Sequence, residues 1–395
     1  GLLGRDGKDM ALKSSTPPKP PLAKGGNGGV GSLVLELKKP EETFVFTDVP
    51  HEPVPSILRG FSAPAKVKLD LTDDERLFLM ANDPDEFNRW DAGQQLAVKL
   101  ILDLIKDYQE DRPLLLDNMF IDAFRKVLES DMTDKAFQAF ALMLPAETYL
   151  ADFMPVIDPE AIHEARKFVQ QVLAASLKTA FLHVYHANEA TGPYSADRES
   201  VGKRSLRNAC LAYLAELEDP DVRELCVRQF KTGGNMTDVM AALANLANSE
   251  CAEREEALAS FYATWKDDPL VLDKWLSIQA TSRLPNTLDT VKALTRHPAF
   301  NIKNPNKVRA LIGAFSSNPV RFHDASGAGY EFLSDQVIAI DAMNPQIAAR
   351  LVSAFTMWKR YDEKRKALMK AQLERVLNAP KLSRDVHEIV SKSLT

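Results

Sequence analysis

The chain has 395 residues, of which 45% are hydrophobic and 26% charged, and its formal net charge is −6. That length allows two or more domains, and the acidic balance argues against nucleic acid as a partner, because nucleic-acid binding usually needs a basic face. No apolar run approaches the roughly 20 residues that cross a bilayer, so we expect no membrane partner. The three cysteines, Cys210, Cys226 and Cys251, lack metal-like spacing, which indicates reduced thiols and a cytoplasmic location.

The first 70 residues predict a partial antiparallel β-sandwich. They contain short runs of β-branched and aromatic residues, and one segment in which apolar and polar residues alternate as they do in a half-buried strand. The segments that predict strands are 32–37, 42–47, 56–62 and 67–71.

Residues 14–32 are rich in Pro, Gly and Ser, and we interpret them as a disordered insertion into this β domain. The chain begins at Gly1 rather than Met, which leads us to expect the first strands of the sandwich upstream. A targeting segment would lie there as well. If it is a transit peptide, we expect the protein in a plastid instead of the cytoplasm.

From Thr72 the hydrophobic period changes from two to 3.6, and Thr72-Asp-Asp-Glu75 forms a capping box. Proline follows a polar residue at nine later points, each of which we interpret as the end of one helix and the cap of the next. These points are Pro84, Pro113, Pro159, Pro220, Pro269, Pro298, Pro305, Pro319 and Pro345. Residues 71–395 therefore predict an all-α domain of paired antiparallel helices, without the fixed period of tetratricopeptide or ankyrin arrays, that stacks into a superhelical bowl.

Two of the Asn-Pro helix starts carry an arginine one to two turns inside the helix, Arg309 after Asn304 and Arg350 after Asn344. A guanidinium on a largely apolar helix needs an anionic or carbonyl partner, which is either an internal ion pair or a bound peptide. Gln346 lies four residues before Arg350 and shares its helix face. Gly313, one turn after Arg309, would let a backbone or a ligand approach closely.

The sequence contains no complete catalytic motif. Three His-Glu pairs fail to continue as His-Glu-x-x-His, so we predict no catalytic residue and no metal ligand in this chain. His183 and His186 share a helix face, but no third ligand accompanies them, which favours surface histidines over a metal site. The basic run 359–366 is interspersed with acidic residues, which favours a solvated helix face over a surface for an anionic partner.

Several blocks resemble bacterial-type aminopeptidase N, the alanyl aminopeptidases of the gluzincin metallopeptidase family. The resemblance begins at Glu52-Pro-Val-Pro-Ser-Ile-Leu-Arg-Gly-Phe-Ser-Ala-Pro64 and continues in order to the end of the chain. The further blocks are 203–210, 235–238, 272–281, 304–315 and 344–365. The insertion at 14–32 departs from the compact bacterial pattern and suggests a eukaryotic relative.

The resemblance implies that this chain is the C-terminal, non-catalytic part of an enzyme that releases N-terminal amino acids from peptides. In that family a zinc ion supplies Lewis-acid catalysis, and the implied zinc ligands lie upstream of Gly1. This chain would then bind no cofactor itself, and its partners would be peptide substrates and the missing N-terminal catalytic domain. Residues at the positions of Arg309 and Arg350 contact the substrate in that family, and the residue at Gln346 lines the pocket for the N-terminal side chain.

A second hypothesis is a stand-alone helical scaffold that binds a partner without catalysis. An upstream segment that contains His-Glu-x-x-His would favour the enzyme part, and a native start near Gly1 would favour the scaffold.

Overall fold

The protein is described by a computed structural model, which covers residues 1–14 and 31–395. The fold is mainly α-helical with short antiparallel strands near the N-terminus, which confirms the predicted fold class. The strands are β1 (Leu2–Leu3), β2 (Lys13–Ser14), β3 (Phe46–Thr47) and β4 (Val54–Pro55). β1 pairs with β4 and β2 pairs with β3, so the described strands form two separate ladders.

The predicted strands differ in their outcome. The run 42–47 contains β3, whereas 32–37 has a single bridge residue, Val34, and 67–71 has no regular secondary structure. The run 56–62 contains a turn of 3₁₀-helix, and Leu58 and Phe61 there have φ of 55°, a left-handed conformation that no strand contains. An alternating pattern makes a strand only where a neighbour pairs with its backbone, so the predictions for 56–62 and 67–71 were wrong, and the prediction for 32–37 holds only at the bridge residue Val34. The predicted disordered insertion falls mostly on residues 15–30, outside the described residues.

Helices occupy the chain from residue 73 onward. The first thirteen are α1 (Asp73–Asn82), α2 (Glu86–Gln109), α3 (Asn118–Leu128), α4 (Lys135–Ala141), α5 (Glu147–Ala151), α6 (Pro159–Ser176), α7 (Lys178–Ala187), α8 (Arg198–Ala215), α9 (Pro220–Thr232), α10 (Met236–Ala247), α11 (Ala252–Trp265), α12 (Pro269–Ala280) and α13 (Thr287–Leu294). They are followed by α14 (Pro305–Val308), a π-helical turn (Arg309–Gly313), α15 (Ala314–Ser316), α16 (Pro319–Phe322), α17 (Ala328–Asp341), α18 (Pro345–Val352), α19 (Glu363–Leu377) and α20 (Arg384–Leu394). Short 3₁₀ turns lie at Arg59–Phe61, Ser353–Phe355 and Trp358–Arg360.

Side-chain caps set most of these helix starts. The predicted capping box at Thr72 is present: its hydroxyl accepts from the Glu75 N–H, and the Glu75 carboxylate accepts from the Thr72 N–H. Six of the nine proline points are also confirmed as caps, because the residue before proline accepts a backbone N–H bond. These residues are Asp158, Asp219, Asp268, Asn304, Asn318 and Asn344. No helix begins at Pro84, Pro113 or Pro298.

One continuous apolar core runs through the helical region. Its largest side chains include Phe181 of α7, which is fully buried and stacks on Tyr213 of α8 with ring centroids 4.9 Å apart. Within the part of the chain that the structure describes, no helix is long and apolar enough to cross a membrane.

The chain returns on itself at a seam between residues 151–160 and 360–365. The Arg360 guanidinium donates to the carbonyl oxygens of Ala151 and Met154 at 2.8 and 2.9 Å. Arg365 pairs with Glu160 at 2.7 Å, although the two residues are 205 positions apart. The helix array therefore has a long-range closure between its middle and its end.

The seam corrects the interpretation of the basic run 359–366 as a solvated helix face. α19 begins only at Glu363, so the run is not one helix face, and the Arg365 side chain is 8% exposed. The acidic residues that favoured a solvated face include Asp362. This residue caps the N-terminus of α19 and pairs with Arg365 in the first turn of that helix.

His323 packs against this seam, where its carbonyl accepts from Arg365 Nε at 2.7 Å. Its two ring nitrogens contact the hydroxyls of Tyr330 and Tyr361 at 3.0 and 2.9 Å. Burial, with a smaller contribution from the Arg365 charge, lowers the pKa of His323 from 6.5 to about 3.

We therefore expect His323 to destabilise the fold as pH falls from 6.5 towards 3. In that window the unfolded chain binds a proton on His323 and the folded chain does not, so the stability present above pH 6.5 is lost. Urea unfolding at pH 7, 6, 5 and 4 should give a steeper loss for the native chain than for His323→Gln. Equal slopes for both proteins would contradict the expectation.

Candidate functional site

The two predicted Asn-Pro helix starts are built as the sequence indicates. The Asn304 side-chain oxygen accepts from the Asn306 N–H at 2.9 Å, and the Asn344 oxygen accepts from the Ile347 N–H at 3.2 Å. Proline occupies the first helical position in both, where its missing N–H is not needed. The local sequence thus fixes the backbone direction from which each arginine leaves.

Arg309 is exposed and bonds within its own helix. Its Nη2 donates to Asn306 Oδ1 at 2.7 Å, and its Nε lies 3.3 Å from the carbonyl oxygen of Pro305. Both partners are neutral, and Arg309 forms no ion pair with the residues that the structure describes, so the internal pair that the sequence left open is not seen there. An exposed guanidinium with neutral partners remains available to an anionic group.

Gln346 and Arg350 are both exposed on α18, and their spacing of four places them on one face of the helix. Ile347, Ala348 and Ala349 between them are buried. The side chains of Gln346 and Arg350 have no hydrogen-bond partner among residues 1–14 and 31–395. The structure therefore presents two polar side chains with unused donors beside each other.

A small groove of about 230 Å³ separates the two Asn-Pro starts. Pro305 and Val308 line it from one side, and Ile340, Met343 and Ile347 line it from the other. The three predicted site residues, Arg309, Gln346 and Arg350, do not line this groove. Arg309 lies one helical turn after the lining residue Pro305, and Arg350 lies one turn after Ile347. The sequence analysis did not predict this groove. The sequence feature that could have indicated it is Met343, an apolar residue directly before an Asn-Pro helix start, which is 44% exposed in the structure.

Arg309 also opens a π-helical turn that the sequence did not predict. The Ala314 N–H donates to the carbonyls of Arg309, five residues back, and Leu311, three residues back, and not to Ala310, four residues back. Such single turns occur often at functional sites, because the extra residue changes the direction of a side chain. Gly313 ends the turn with ordinary helical φ and ψ of −63° and −42°.

The structure gives Gly313 no close backbone neighbour. A Cβ added at this residue would meet Arg309 Cβ, Leu351 Cδ2 and the Val308 oxygen, all at 3.9 Å, which is ordinary contact. We therefore expect Gly313→Ala to raise the free energy of unfolding by about 0.5–1 kcal/mol, because alanine restricts the unfolded chain. Gly329→Ala is the control that should destabilise, since its Cβ would lie 2.5 Å from the Phe322 carbonyl oxygen. Lower stability in Gly313→Ala would contradict this account.

A larger cavity lies elsewhere, between α1, α2 and the loop that precedes α5. It has a volume of about 1050 Å³ and is lined mainly by apolar side chains. Its aromatic residues are Trp90, Phe140, Tyr149 and Phe153, and the last three are about half exposed. Aromatic groups so exposed in one place indicate a surface that contacts another protein or protein segment.

Other candidate groups do not form a reactive site. His186 contacts Glu189 at 3.1 Å, and the described residues contain no cluster of three His, Cys, Asp or Glu side chains suited to a metal. Burial raises the pKa of Cys210 and Cys226 to about 12, so both remain thiols at neutral pH.

Comparison with protein families gives two matches. A domain of unknown function described as ARM repeats (DUF3458_C) matches residues 73–395, and a second, described as having an Ig-like fold (DUF3458), matches residues 1–70.

Curated relatives and solved structures give the same picture. Aminopeptidase N of Escherichia coli is 40% identical over 375 residues, 95% of this chain and 43% of that protein. Aminopeptidase N of Caulobacter vibrioides is 39% identical over 364 residues, 91% of this chain and 42% of that protein. The crystal structure of Legionella pneumophila aminopeptidase A in complex with aspartic acid has a TM-score of 0.78 at 31% identity, and covers 89% of this chain and 43% of that one. The chain thus spans less than half the length of these relatives.

Proposed function

The chain belongs to the DUF3458 domain family and is similar along its length to the C-terminal portion of aminopeptidases N, and we propose that it serves as the non-catalytic part of a zinc aminopeptidase. The observation that carries this proposal is 40% identity over 95% of the chain. The longer protein would release N-terminal amino acids from peptides. This chain would enclose the substrate cavity and supply contacts to the peptide.

Zinc and the catalytic groups would belong to the part of the protein that this chain does not contain. The described residues offer no metal cluster, and the sequence has no complete His-Glu-x-x-His. When bound in the longer enzyme, zinc would polarise the scissile carbonyl and activate water. We expect the isolated chain to release no amino acid from aminoacyl reporters.

The proposed partner of this chain is the N-terminal catalytic domain. Relatives more than twice as long support it, and so does the aromatic cavity beside α2, whose half-exposed rings would be buried by such a contact. We place the division between the β domain and the helical domain at residues 70 and 71, next to the capping box at Thr72. Three free cysteines support a location in the cytoplasm.

Arg309, Gln346 and Arg350 are the proposed substrate contacts. All three side chains are exposed, and Gln346 and Arg350 have no partner among the described residues. A guanidinium donates two parallel hydrogen bonds to a carboxylate or to neighbouring carbonyl oxygens, which suits the downstream part of a short peptide. Gln346 offers both a donor and an acceptor to the residue at the peptide's N-terminus.

We expect Arg350→Ala in the longer enzyme to raise the KM for peptides with little change in kcat. The loss of one charge-assisted contact should cost about 1–3 kcal/mol in kcat/KM. Arg375→Ala is a matched control, because Arg375 is an exposed arginine that pairs with Asp335. Unchanged peptide kinetics in Arg350→Ala would reject the substrate contact.

The native gene product distinguishes the two hypotheses, the enzyme part and the stand-alone scaffold. A gene product that contains His-Glu-x-x-His and shows zinc-dependent turnover supports the proposal. A native product close to 43.9 kDa without turnover would favour the scaffold.

A further inference from the structure

The π-helical turn that begins at Arg309 is held by a side chain from another helix. The Ser277 hydroxyl of α12 donates to the carbonyl oxygen of Ala310 at 2.9 Å. In an α-helix that carbonyl would accept from the N–H of Ala314, but Ala314 donates to Arg309 instead. Ser277 therefore supplies a donor to a carbonyl that lost its usual partner when the turn became π-helical.

A second contact from α12 reaches the residues just before Arg309. The Lys307 ammonium is 6% exposed and lies 2.8 Å from Asp273 Oδ1. It also donates to the carbonyl oxygen of Pro269 at 2.5 Å. A buried ammonium is stable only with such partners, so Lys307 ties α14 firmly to the start of α12.

These two contacts fix the backbone on both sides of Arg309. Lys307 is two residues before the arginine, and Ala310 is the residue after it. α12 is itself anchored by Trp275, whose indole N–H donates to the carbonyl of Leu258 at 2.9 Å and which is 5% exposed. The direction of the Arg309 side chain is thus set from α12 as well as by its own helix.

We propose that Ser277 and Asp273 are positioning residues, which hold Arg309 in the direction that a peptide requires. The proposal rests on the proposed role of Arg309 as a substrate contact. Without the Ser277 hydroxyl, the turn would regain the α-helical pattern more easily. That change shifts the register between Arg309 and the residues that follow the turn by one position, which corresponds to a helix rotation of about 100°.

Hydrogen exchange on this chain tests the structural half of the proposal. In Ser277→Ala, the amides of residues 309–315 should exchange about tenfold faster, because the turn then alternates between the π-helical and α-helical patterns and its hydrogen bonds break at each change. Ser277→Thr keeps the hydroxyl and should restore slow exchange. Thr281→Ala is the control, since the Thr281 hydroxyl bonds the Ser277 carbonyl within α12. Exchange unchanged by Ser277→Ala would overturn the proposal.

Peptide kinetics in the longer enzyme test the functional half. Ser277→Ala should raise the KM about two- to tenfold, the effect of one lost hydrogen bond, with kcat unchanged and with rescue by Ser277→Thr. Asp273→Asn should act in the same direction, and Thr281→Ala should leave both constants unchanged.

The outcomes distinguish this inference from the function on which it rests. If Arg309→Ala leaves the KM unchanged, the substrate role of Arg309 fails and the positioning role fails with it. If Arg309→Ala raises the KM while Ser277→Ala does not, only the positioning role is overturned. Faster exchange without a change in KM also overturns it, because the turn would then be structural alone.

Discussion

Replacing Arg365 by methionine is expected to lower the free energy of unfolding by about 1–3 kcal/mol, because the hydrogen bonds of a buried guanidinium are lost while the partly exposed carboxylates of Glu160 and Asp362 stay hydrated. The Arg365 guanidinium pairs with Glu160 and Asp362, both at 2.7 Å, and its Nε donates to the His323 carbonyl at 2.7 Å. Methionine fills a similar volume but leaves these acceptors without a donor. The variant should therefore unfold at a clearly lower urea concentration.

Lys370→Ala is the matched control for this prediction. Lys370 lies on the same helix and pairs with Glu374 at 3.8 Å, with both side chains half exposed. Such a surface pair contributes about 0.5 kcal/mol or less, so the control should unfold almost as the native chain does. If Arg365→Met and Lys370→Ala shift the unfolding midpoint equally, the seam does not stabilise the fold in the way its contacts indicate.

The helix starts could be predicted from the sequence because their causes are local. Asn304 and Asn344 bond an N–H group two or three residues ahead, and the following proline is already in a helical conformation. The capping box at Thr72 follows the same logic. No contact from a distant part of the chain is needed for such a start, so the residue pattern alone determines it.

The β region was predicted less well because a strand depends on its neighbour. The alternation at 67–71 has the period of a strand, yet none of the described strands pairs with it and Val67 is 47% exposed. The described ladders contain only two residues per strand. The pattern shows which residues could face a core but gives no information about the backbone that would have to lie beside them.

The seam and the π-helical turn could not be predicted for a related reason. Arg365 meets Glu160 across 205 positions, and Ser277 meets Ala310 across 33. In the sequence, Arg365 stands in a mixed-charge run that is typical of a solvated face. Only the packing of the helices shows that it is buried, and the same packing supplies the hydroxyl that holds the π-helical turn. For the candidate site, then, the sequence predicts where Arg309 and Arg350 begin, and the helix packing sets their surroundings.

Combining Arg309→Ala with Arg350→Ala in the longer enzyme is expected to lower kcat/KM for peptides roughly 30-fold or more. This corresponds to a loss of about 2–6 kcal/mol of transition-state binding free energy. The two side chains leave different helices. Arg309 is held by Asn306, whereas Arg350 has no hydrogen-bond partner in the described chain. Because each can reach a different oxygen of the peptide, their effects should add within about 0.5 kcal/mol.

A double-mutant cycle with a tripeptide and with the same tripeptide amidated at its C-terminus measures this. Additive losses with both substrates mean that the arginines bind separate carbonyl groups. A double variant no worse than either single variant would contradict independent contacts, because both guanidinium groups would then serve one anionic group. Loss of that coupling on amidation would identify this group as the terminal carboxylate of the peptide. The change in kcat/KM can be assigned to binding only if all four proteins are equally stable in urea. We expect equal stability because both arginines are exposed.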